Sequence, residues 1–458
     1  MSLPLARAVG LGHRPEIATD LLVRRELVGF VEIVAETCFA QEKARREAAA
    51  LTEVWPVVPH GVKLSLGSAD GIDEARAKRL GALARELRAP LVSEHVAMTR
   101  GGDREIGHLT QLPRTMDAVR VVARNVAAAR RHLPDVPFLL ENVAWSFLWP
   151  DDALDEATFY QEVVRATGCP LLLDVGNLYA NAVNEGRDPN AVLDAYPLDR
   201  VAMIHVAGGV FTHGFYFDTH ADPIPSPVME LVARALRAVP DVPVLLERDA
   251  GFGDFDALAA EVEALRALRP AARGAGLVDL GARDPGAVRD GASLLERQRA
   301  IARLLTDVAA PAGPLAEAIG IPALARSRGI LERKRVDDAL PLLAHLGPHV
   351  ASMRGVAEEA MRSSPRASRG AGPRDALRIA DVAAFAPGPL VDAARRDRLL
   401  LRARFAVSAR DDGMRPRVAP FVGQERLTDG THVVAVKGPG AFAAVHVHER
   451  KRRSWRTS

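Results

Sequence analysis

His60, His95, Glu141, Asp174, Asn177, His205, Asp218, His220 and Glu247 sit at or near the ends of short apolar runs between residues 57 and 247. Side chains of these types hold metal ions. One polar residue at the end of a strand is ordinary. Histidine and carboxylate recurring at one pole of a strand–helix repeat describe a ring of ligands around one cavity. The ring holds more groups than a single ion needs, so the pattern predicts a site with more than one metal. Imidazole and carboxylate without thiolate suit iron, manganese or zinc, and argue against copper(I) and iron–sulfur clusters. Glu141 and Glu247 can bridge two ions. Asp218 and His220, two apart in a loop, can serve one ion or two neighbours. Asn177 is a weak neutral ligand that keeps the charge of the site low.

Each residue taken singly has a structural use. His60 or His95 fits a hydrogen-bonded core histidine. Glu141 fits a helix cap or an arginine partner, and Asp174 fits an N-cap. Taken jointly, so many buried unpaired groups are costly, and a metal satisfies them together. Glu94 reads equally as a ligand and as a partner that orients His95. Asp249 reads as a partner of a ligand or as substrate-facing. His13, His108 and His213 are candidates for substrate contact. Trp145 and Trp149 read as pocket wall.

The elements that position these groups repeat one theme over the first 270 or so residues. Apolar, strand-like runs occur at 8–11, 30–34, 57–58, 91–92, 138–140, 171–173, 201–204 and 244–246. Helix-like stretches between them include 41–55, 73–87, 112–132, 155–167, 189–196 and 226–239. Strands alternating with helices predict parallel βα units. Their number and length predict a closed (β/α)8 TIM barrel, in which functional groups lie at the C-terminal strand ends. An open doubly wound sheet is the second choice. Gly10-Leu11-Gly12-His13-Arg14-Pro15 does not complete the phosphate-binding loop such a sheet would carry.

The reading divides the chain into a barrel at 1–270, a linker at 271–292 and a smaller α+β accessory domain at 293–458. That last region is expected to be helical to about Met361, then jointed at 363–373. A helix near 375–385 and strand-like stretches at 399–407, 431–436 and 441–448 follow. A length of 458 residues allows two or three domains. Hydrophobic residues at 48% and charged residues at 26% give the balance of a soluble globular protein. No apolar run reaches the roughly 18 residues of a membrane span, and no signal peptide is expected. Cys38 and Cys169 are too few for a disulfide framework and fit a reducing cytoplasm. A net charge of +2 says little about partners. Only the stretch at 448–453 is strongly basic, and it reads as a solvated tail rather than a nucleic-acid site.

The runs HGVKLSLGS, SEH, LLEN, GCPLLLDVGNLY, IHVAGG, DTH and LLERD, in this order, resemble the multinuclear non-haem iron-dependent oxidases. That family includes the enzyme that makes the oxazolone–thioamide groups of methanobactin. The resemblance covers residues 5 to 265 or so. It implies a TIM barrel holding two or three iron ions in mixed Fe(II) and Fe(III) states, with dioxygen as co-substrate. It also implies oxidation of a side chain, cysteine above all, in a ribosomally made precursor peptide, and a small partner protein that holds the peptide leader. All nine candidate ligands match the family's blocks. The departures lie elsewhere. His13 stands where leucine usually precedes the arginine. Glu36-Thr37-Cys38 replaces ENY. The second histidine of HLAGH is Gly209, for which His213 is a candidate substitute, and DVNN has become DVGN. The stretch 294–346 weakly resembles the helical start of the partner proteins, which suggests a fused peptide-recruitment domain at 293–458. A redox-neutral dinuclear metal hydrolase or isomerase is the alternative enzyme reading. A binding protein with a structural metal is the third.

Overall fold

A computed structural model describes residues 5–272, 281–307, 309–362, 371–386, 388–407, 414–441 and 443–450. Eight parallel strands close into a barrel. They are β1 (Val9–Gly12), β2 (Phe30–Val34), β3 (Val57–Gly61), β4 (Val92–His95), β5 (Phe138–Glu141), β6 (Leu171–Asp174), β7 (Val201–Val206) and β8 (Val244–Leu246). Each pairs with its neighbours in sequence, and β1 also pairs with β8. The strands are buried on both faces, which is why they read as short continuous apolar runs. Helices return the chain between them, and their starts are fixed by side-chain caps. Asp73, Thr115, Asp155 and Asp254 each accept backbone N–H groups of the helix that follows.

Strand geometry sets the barrel interior. Phe30, Val58, Leu91, Leu139, Leu172, Met203 and Leu245 belong to one packed apolar cluster. Side chains two residues apart share a face and stand about 6.6 Å further along the strand. Two residues on from these positions come Glu32, His60, Ser93, Glu141, Asp174, His205 and Glu247, with His95 a further two on from Ser93. One step along the strands therefore takes the interior from hydrocarbon to acid and base. Gly10 supplies no side chain to this interior. A Cβ there would fall 2.5 Å from the Phe30 ring, which fills the space.

Two further sets of strands were not expected from the sequence. Met98–Gly101 and Arg104–Thr110 are strands after β4, and Gly209–Thr212 pairs with Phe215–Asp218 after β7. The second is closed by positive φ at His213 (50°) and Gly214 (74°).

The chain divides into two compact units. One comprises 1–102 and 109–298, and the other 103–108 and 299–458. Part of the stretch expected as a linker is hydrogen-bonded within the first unit. The backbone N–H groups of Arg289 and Asp290 donate to Asp117 at 2.9 and 3.1 Å, and Arg120 donates to the Pro285 carbonyl at 2.9 Å. Residues 273–280 lie outside the described residues.

The second unit contains helices Ile321–Ala339, Val350–Arg362, Ala371–Phe385 and Val391–Arg404 around an apolar core. Arg335 forks onto Asp375 within it, at 2.9 and 2.8 Å. A three-stranded antiparallel sheet of Phe421–Arg426, His432–Lys437 and Val445–Arg450 completes it. The strand expected at 399–407 is corrected to the end of a helix followed by the short strand Phe405–Val407. Ala394, Asp397, Arg398 and Leu401 are buried at helical spacing, and that face outweighs the alternating look of LLLRARFAV. The joint expected at 363–373 lies largely outside the described residues, as do residues 451–453 of the basic stretch. Among the described residues no helix is long and apolar enough to cross a membrane.

Candidate metal centre

The strand ends deliver the candidate ligands to one pole of the barrel. His95, Glu141 and Asp174 are the last residues of β4, β5 and β6. His60 and His205 are next to last in β3 and β7, and Glu247 directly follows β8. All six are buried. Asp218 ends the second strand of the hairpin after β7, and His220 follows two residues later.

Three overlapping groups have ligand atoms within 4.8 Å of one another. They are His60–His95–Glu141, Glu141–Asp174–His205–Glu247 and His220–Glu247–Asp249. Glu141 Oε2 faces His60 Nε2 at 3.5 Å and His95 Nε2 at 3.4 Å, while its Oε1 faces His205 Nδ1 at 3.4 Å. Glu247 Oε2 lies 3.3 Å from His205 Nδ1 and 3.5 Å from His220 Nδ1. Each of these two carboxylates thus links two groups. The separations are long for hydrogen bonds. They suit ligands that share an ion, since two donors each about 2.1 Å from one metal stand roughly 3.0 to 3.5 Å apart.

A second observation tests the fit to a metal. Glu141 Oε2, Asp174 Oδ2, His205 Nδ1 and Asp218 Oδ1 are buried with no hydrogen-bond partner. Leaving such atoms unsatisfied is expensive, and among the buried unsatisfied atoms of the described residues these four cluster at the candidate ligands. The donor set and its orphaned lone pairs fit divalent or trivalent cations.

Protons stand in for cations in the electrostatics of this pole. Burial alone would lower the His95 pKa, but Glu141 and Glu94 outweigh it and raise it to about 9. Burial is likewise outweighed at His205, by Glu32 and Glu141, and at His220, by Asp218 and Glu247, so both stand well above the ordinary histidine value. Burial would raise Glu141, yet His95, His205 and His60 pull it down to about 2. Glu247 is depressed in the same way by His220 and His205. Asp174 goes the other way. Burial, then Asp218 and Glu141, push it up to about 7. An ion arriving here must displace protons.

Outer partners fix the imidazoles. His60 Nδ1 meets Ser93 Oγ at 2.8 Å, which turns Nε2 toward Glu141. His95 Nδ1 lies 3.3 Å from the Gly61 carbonyl. Glu94 accepts from the backbone N–H groups of Leu64 (3.0 Å) and His95 (2.9 Å), so it anchors a loop beside the site. Asp174 serves two purposes: Oδ1 caps the next helix by accepting from Asn177 N at 2.7 Å, and Oδ2 is the orphan. The Asn177 side-chain nitrogen donates to the Asn142 carbonyl at 3.0 Å.

Three contributors were missed in the sequence. Glu32 meets His205 Nε2 at 3.2 Å; the signal was a lone carboxylate inside the apolar run FVEIV. Asn142 clasps the backbone N–H and carbonyl of Asp174, at 2.8 and 2.9 Å. Arg14 contacts Asp249 and lies 3.9 Å from Glu247. Asp249, expected as a ligand's partner or substrate-facing, lies with His220 and Glu247 in the third group of residues that could hold an ion.

Other expected residues stay apart from the three groups. His13 is part-buried, and burial and Arg14 lower its pKa. His108 falls in the 103–108 segment of the second unit. His213, the candidate substitute for the missing histidine of the IHVAGG block, is not among the three groups. It sits exposed at the hairpin turn, beside Thr212 Oγ1 at 3.1 Å. Nor is there room at Gly209, where a Cβ would fall 2.4 Å from the Phe217 carbonyl oxygen. Trp145 lines a recess with Val143, Phe147, Phe159 and Tyr160. Trp149 donates to the Gln111 carbonyl at 3.0 Å and packs on Phe147.

Residues 8–269 match the family described as RiPP precursor modification enzyme MbnB/TglH/ChrH. A UPF0276 protein of Streptomyces avermitilis is 41% identical over 268 residues, covering 56% of this chain and 54% of that protein. The chain therefore spans about half the length of that relative. A UPF0276 protein of Caulobacter vibrioides is 36% identical over 275 residues, covering 60% of this chain and 98% of that one. Among solved structures, endonuclease IV from Thermus thermophilus is similar at 20% identity and a TM-score of 0.39, covering 57% of this chain and 98% of that chain. A xylose isomerase domain protein from Planctomyces limnophilus is similar at 17% identity and a TM-score of 0.38, covering 57% and 96%.

Proposed function

Because this chain belongs to the family of RiPP precursor modification enzymes MbnB/TglH/ChrH, we propose that its barrel is a multinuclear non-haem iron oxidase. Its substrate would be a side chain, cysteine first among candidates, of a ribosomally made precursor peptide. The observation that carries this reading is the pair Glu141 and Glu247, which join three histidine–carboxylate groups, with Glu141 Oε2 buried and unsatisfied between them.

In this reading His60, His95 and Glu141 would hold one iron, and Glu141, Asp174, His205 and Glu247 would hold a second, with Asn177 and Asp218 as further candidate ligands. His220, Glu247 and Asp249 form the third place. Two or three irons in mixed Fe(II) and Fe(III) states would supply reduction of dioxygen and oxidation of the bound side chain. The chain's own groups hold and orient. Ser93 and Glu32 would orient the rings of His60 and His205. The apolar layer beneath keeps water from the inner face of the site. Cys38 and Cys169 take no part: burial pushes both thiols up to about 11. The accessory region at 293–458 would recruit the peptide leader, as a fused counterpart of a separate leader-binding protein.

The test is metal analysis with Mössbauer spectroscopy on protein expressed with added iron and purified without oxygen. Two or three irons per chain with coupled ferric or mixed-valent signals are expected. Stoichiometric zinc or manganese that persists despite iron supplementation would overturn the oxidase reading and favour a redox-neutral hydrolase or isomerase.

A further inference from the structure

Arg14 follows the end of β1 and turns its guanidinium into the protein, with its side chain 16% exposed. Nη1 donates to the His13 carbonyl at 2.9 Å. Nη2 contacts Asp249 Oδ1 and lies 3.9 Å from Glu247 Oε1. The other oxygen of each carboxylate turns toward His220. Glu247 Oε2 is 3.5 Å from His220 Nδ1, and Asp249 Oδ2 is 3.8 Å from it. Two carboxylates are thus shared between a histidine on one side and a permanent cation on the other, since arginine does not deprotonate in proteins. Among the described residues, no arginine or lysine forms an ion pair with Glu141 or Asp174, which serve the other two groups.

The backbone builds this place in advance. His220 sits at φ 53°, a left-handed conformation that costs a non-glycine residue energy. Its N–H donates to the Gly208 carbonyl at 3.0 Å, and its own carbonyl accepts from Asp249 N at 2.7 Å. This backbone bond brings the two residues together. Asp249 is also the exposed member of the group, so it is the carboxylate freest to change partner.

We infer that Arg14 is a built-in counter-cation that competes with a divalent cation for Asp249 and Glu247, making the His220 group a conditional site whose ion binds last and leaves first. The inference rests on the metal-centre reading above, but not on iron, dioxygen or peptide. A like charge a few ångströms from a bound divalent cation weakens binding by at least about tenfold even at the dielectric constant of water, and by more inside a protein pole.

The experiment is an anaerobic titration with cobalt(II), counting ions per chain by elemental analysis after equilibrium dialysis and following each step by calorimetry. Arg14→Gln keeps a hydrogen-bond donor and removes the charge, and Arg14→Lys keeps the charge. The expected result is a last binding step at least about tenfold tighter in Arg14→Gln, with earlier steps unchanged and Arg14→Lys close to the parent. A last step that is unchanged or weaker in folded Arg14→Gln overturns the inference, as does a shared shift of every step. The unsubstituted protein supplies an independent check should Arg14→Gln not fold. Chelator should strip one ion ahead of the others, and a single cooperative release overturns the idea. Cobalt counts do not depend on redox activity, so the oxidase reading and this inference can fail separately.

Discussion

Phe30, Val58, Leu91, Leu139, Leu172, Met203 and Leu245 fill the barrel at one level, and Glu32, His60, Glu141, Asp174, His205 and Glu247 stand at the level above, with His95 one step further along β4. The strands are the same, and the side chains point into the same interior. The lower level gains free energy by burial, roughly 1.5 to 3 kcal/mol for each large side chain. The upper level spends it, because buried ionisable groups lose their hydration. The contrast teaches where the site's rigidity comes from. Histidine and carboxylate can be held at the wrong distances for hydrogen bonds only because the layer below fixes the strands in register.

Glu141→Ala is the substitution that breaks the upper level most completely, since this residue belongs to two of the three groups and faces three histidines where Glu247 faces two. It should lower affinity for the ions of both groups by more than about a hundred-fold and leave the barrel folded. Leu139→Ala, two residues earlier on the same face, should do the reverse. It should cost about 2 to 5 kcal/mol of stability while the metal count per folded chain stays at the parent value. Elemental analysis beside denaturant unfolding reads both. Loss of metal in folded Leu139→Ala, or retention of all ions in Glu141→Ala, would show that the two levels are not separable in this way.

Proton competition gives the next largest effect and is confined to the upper level. In the metal-free protein His95 keeps its proton until a pH of about 9. A bound ion must remove it, so affinity should rise with pH, by about tenfold per unit for each proton displaced, and level off near pH 9. Calorimetry in buffers of different ionisation enthalpy measures the protons released on binding. No release between pH 6 and 8 would mean that ions do not bind at these imidazoles.

The same contrast explains what could be read without coordinates. Strands buried on both faces leave short apolar runs, and the period of two puts a ligand two residues after a core residue, as in Leu139 and Glu141 or Leu172 and Asp174. Glu32 has the same relation to Phe30 but sits inside its run rather than at its end, so it passed as part of a strand. Arg14 and Asp249 are far apart in sequence and meet only when β1 and β8 pair to close the barrel. The hairpin at 209–218 depends on left-handed backbone at His213 and on close approach at Gly209, neither of which hydrophobic patterning records. In the second unit, the 391–404 helix was hidden because three consecutive leucines and alternating arginines imitate a strand.

A third buried carboxyl sharpens the comparison with the smallest effect, because it has no imidazole nearby. Glu156, at the start of the helix Glu156–Thr167, accepts from the Tyr196 hydroxyl at 2.6 Å and from Asn181 at 3.0 Å. Burial pushes its pKa up to about 7 despite those two bonds, the opposite of Glu141, which histidines hold near 2. A carboxyl raised on folding binds its proton more tightly in the native state. Its stabilising contribution is therefore present below the unfolded value of 4.5 and is lost as pH rises through about 7. Glu156→Gln keeps an acceptor for both donors and has no charge to bury. It should match the parent near pH 4.5 and exceed it at pH 8 by up to about 3 kcal/mol. Denaturant unfolding followed by the fluorescence of Trp145 and Trp149 across that range reads the difference. A constant offset at every pH would show that Glu156 is ionised in the folded protein throughout, and that burial without a cation is less costly here than the contrast with Glu141 requires.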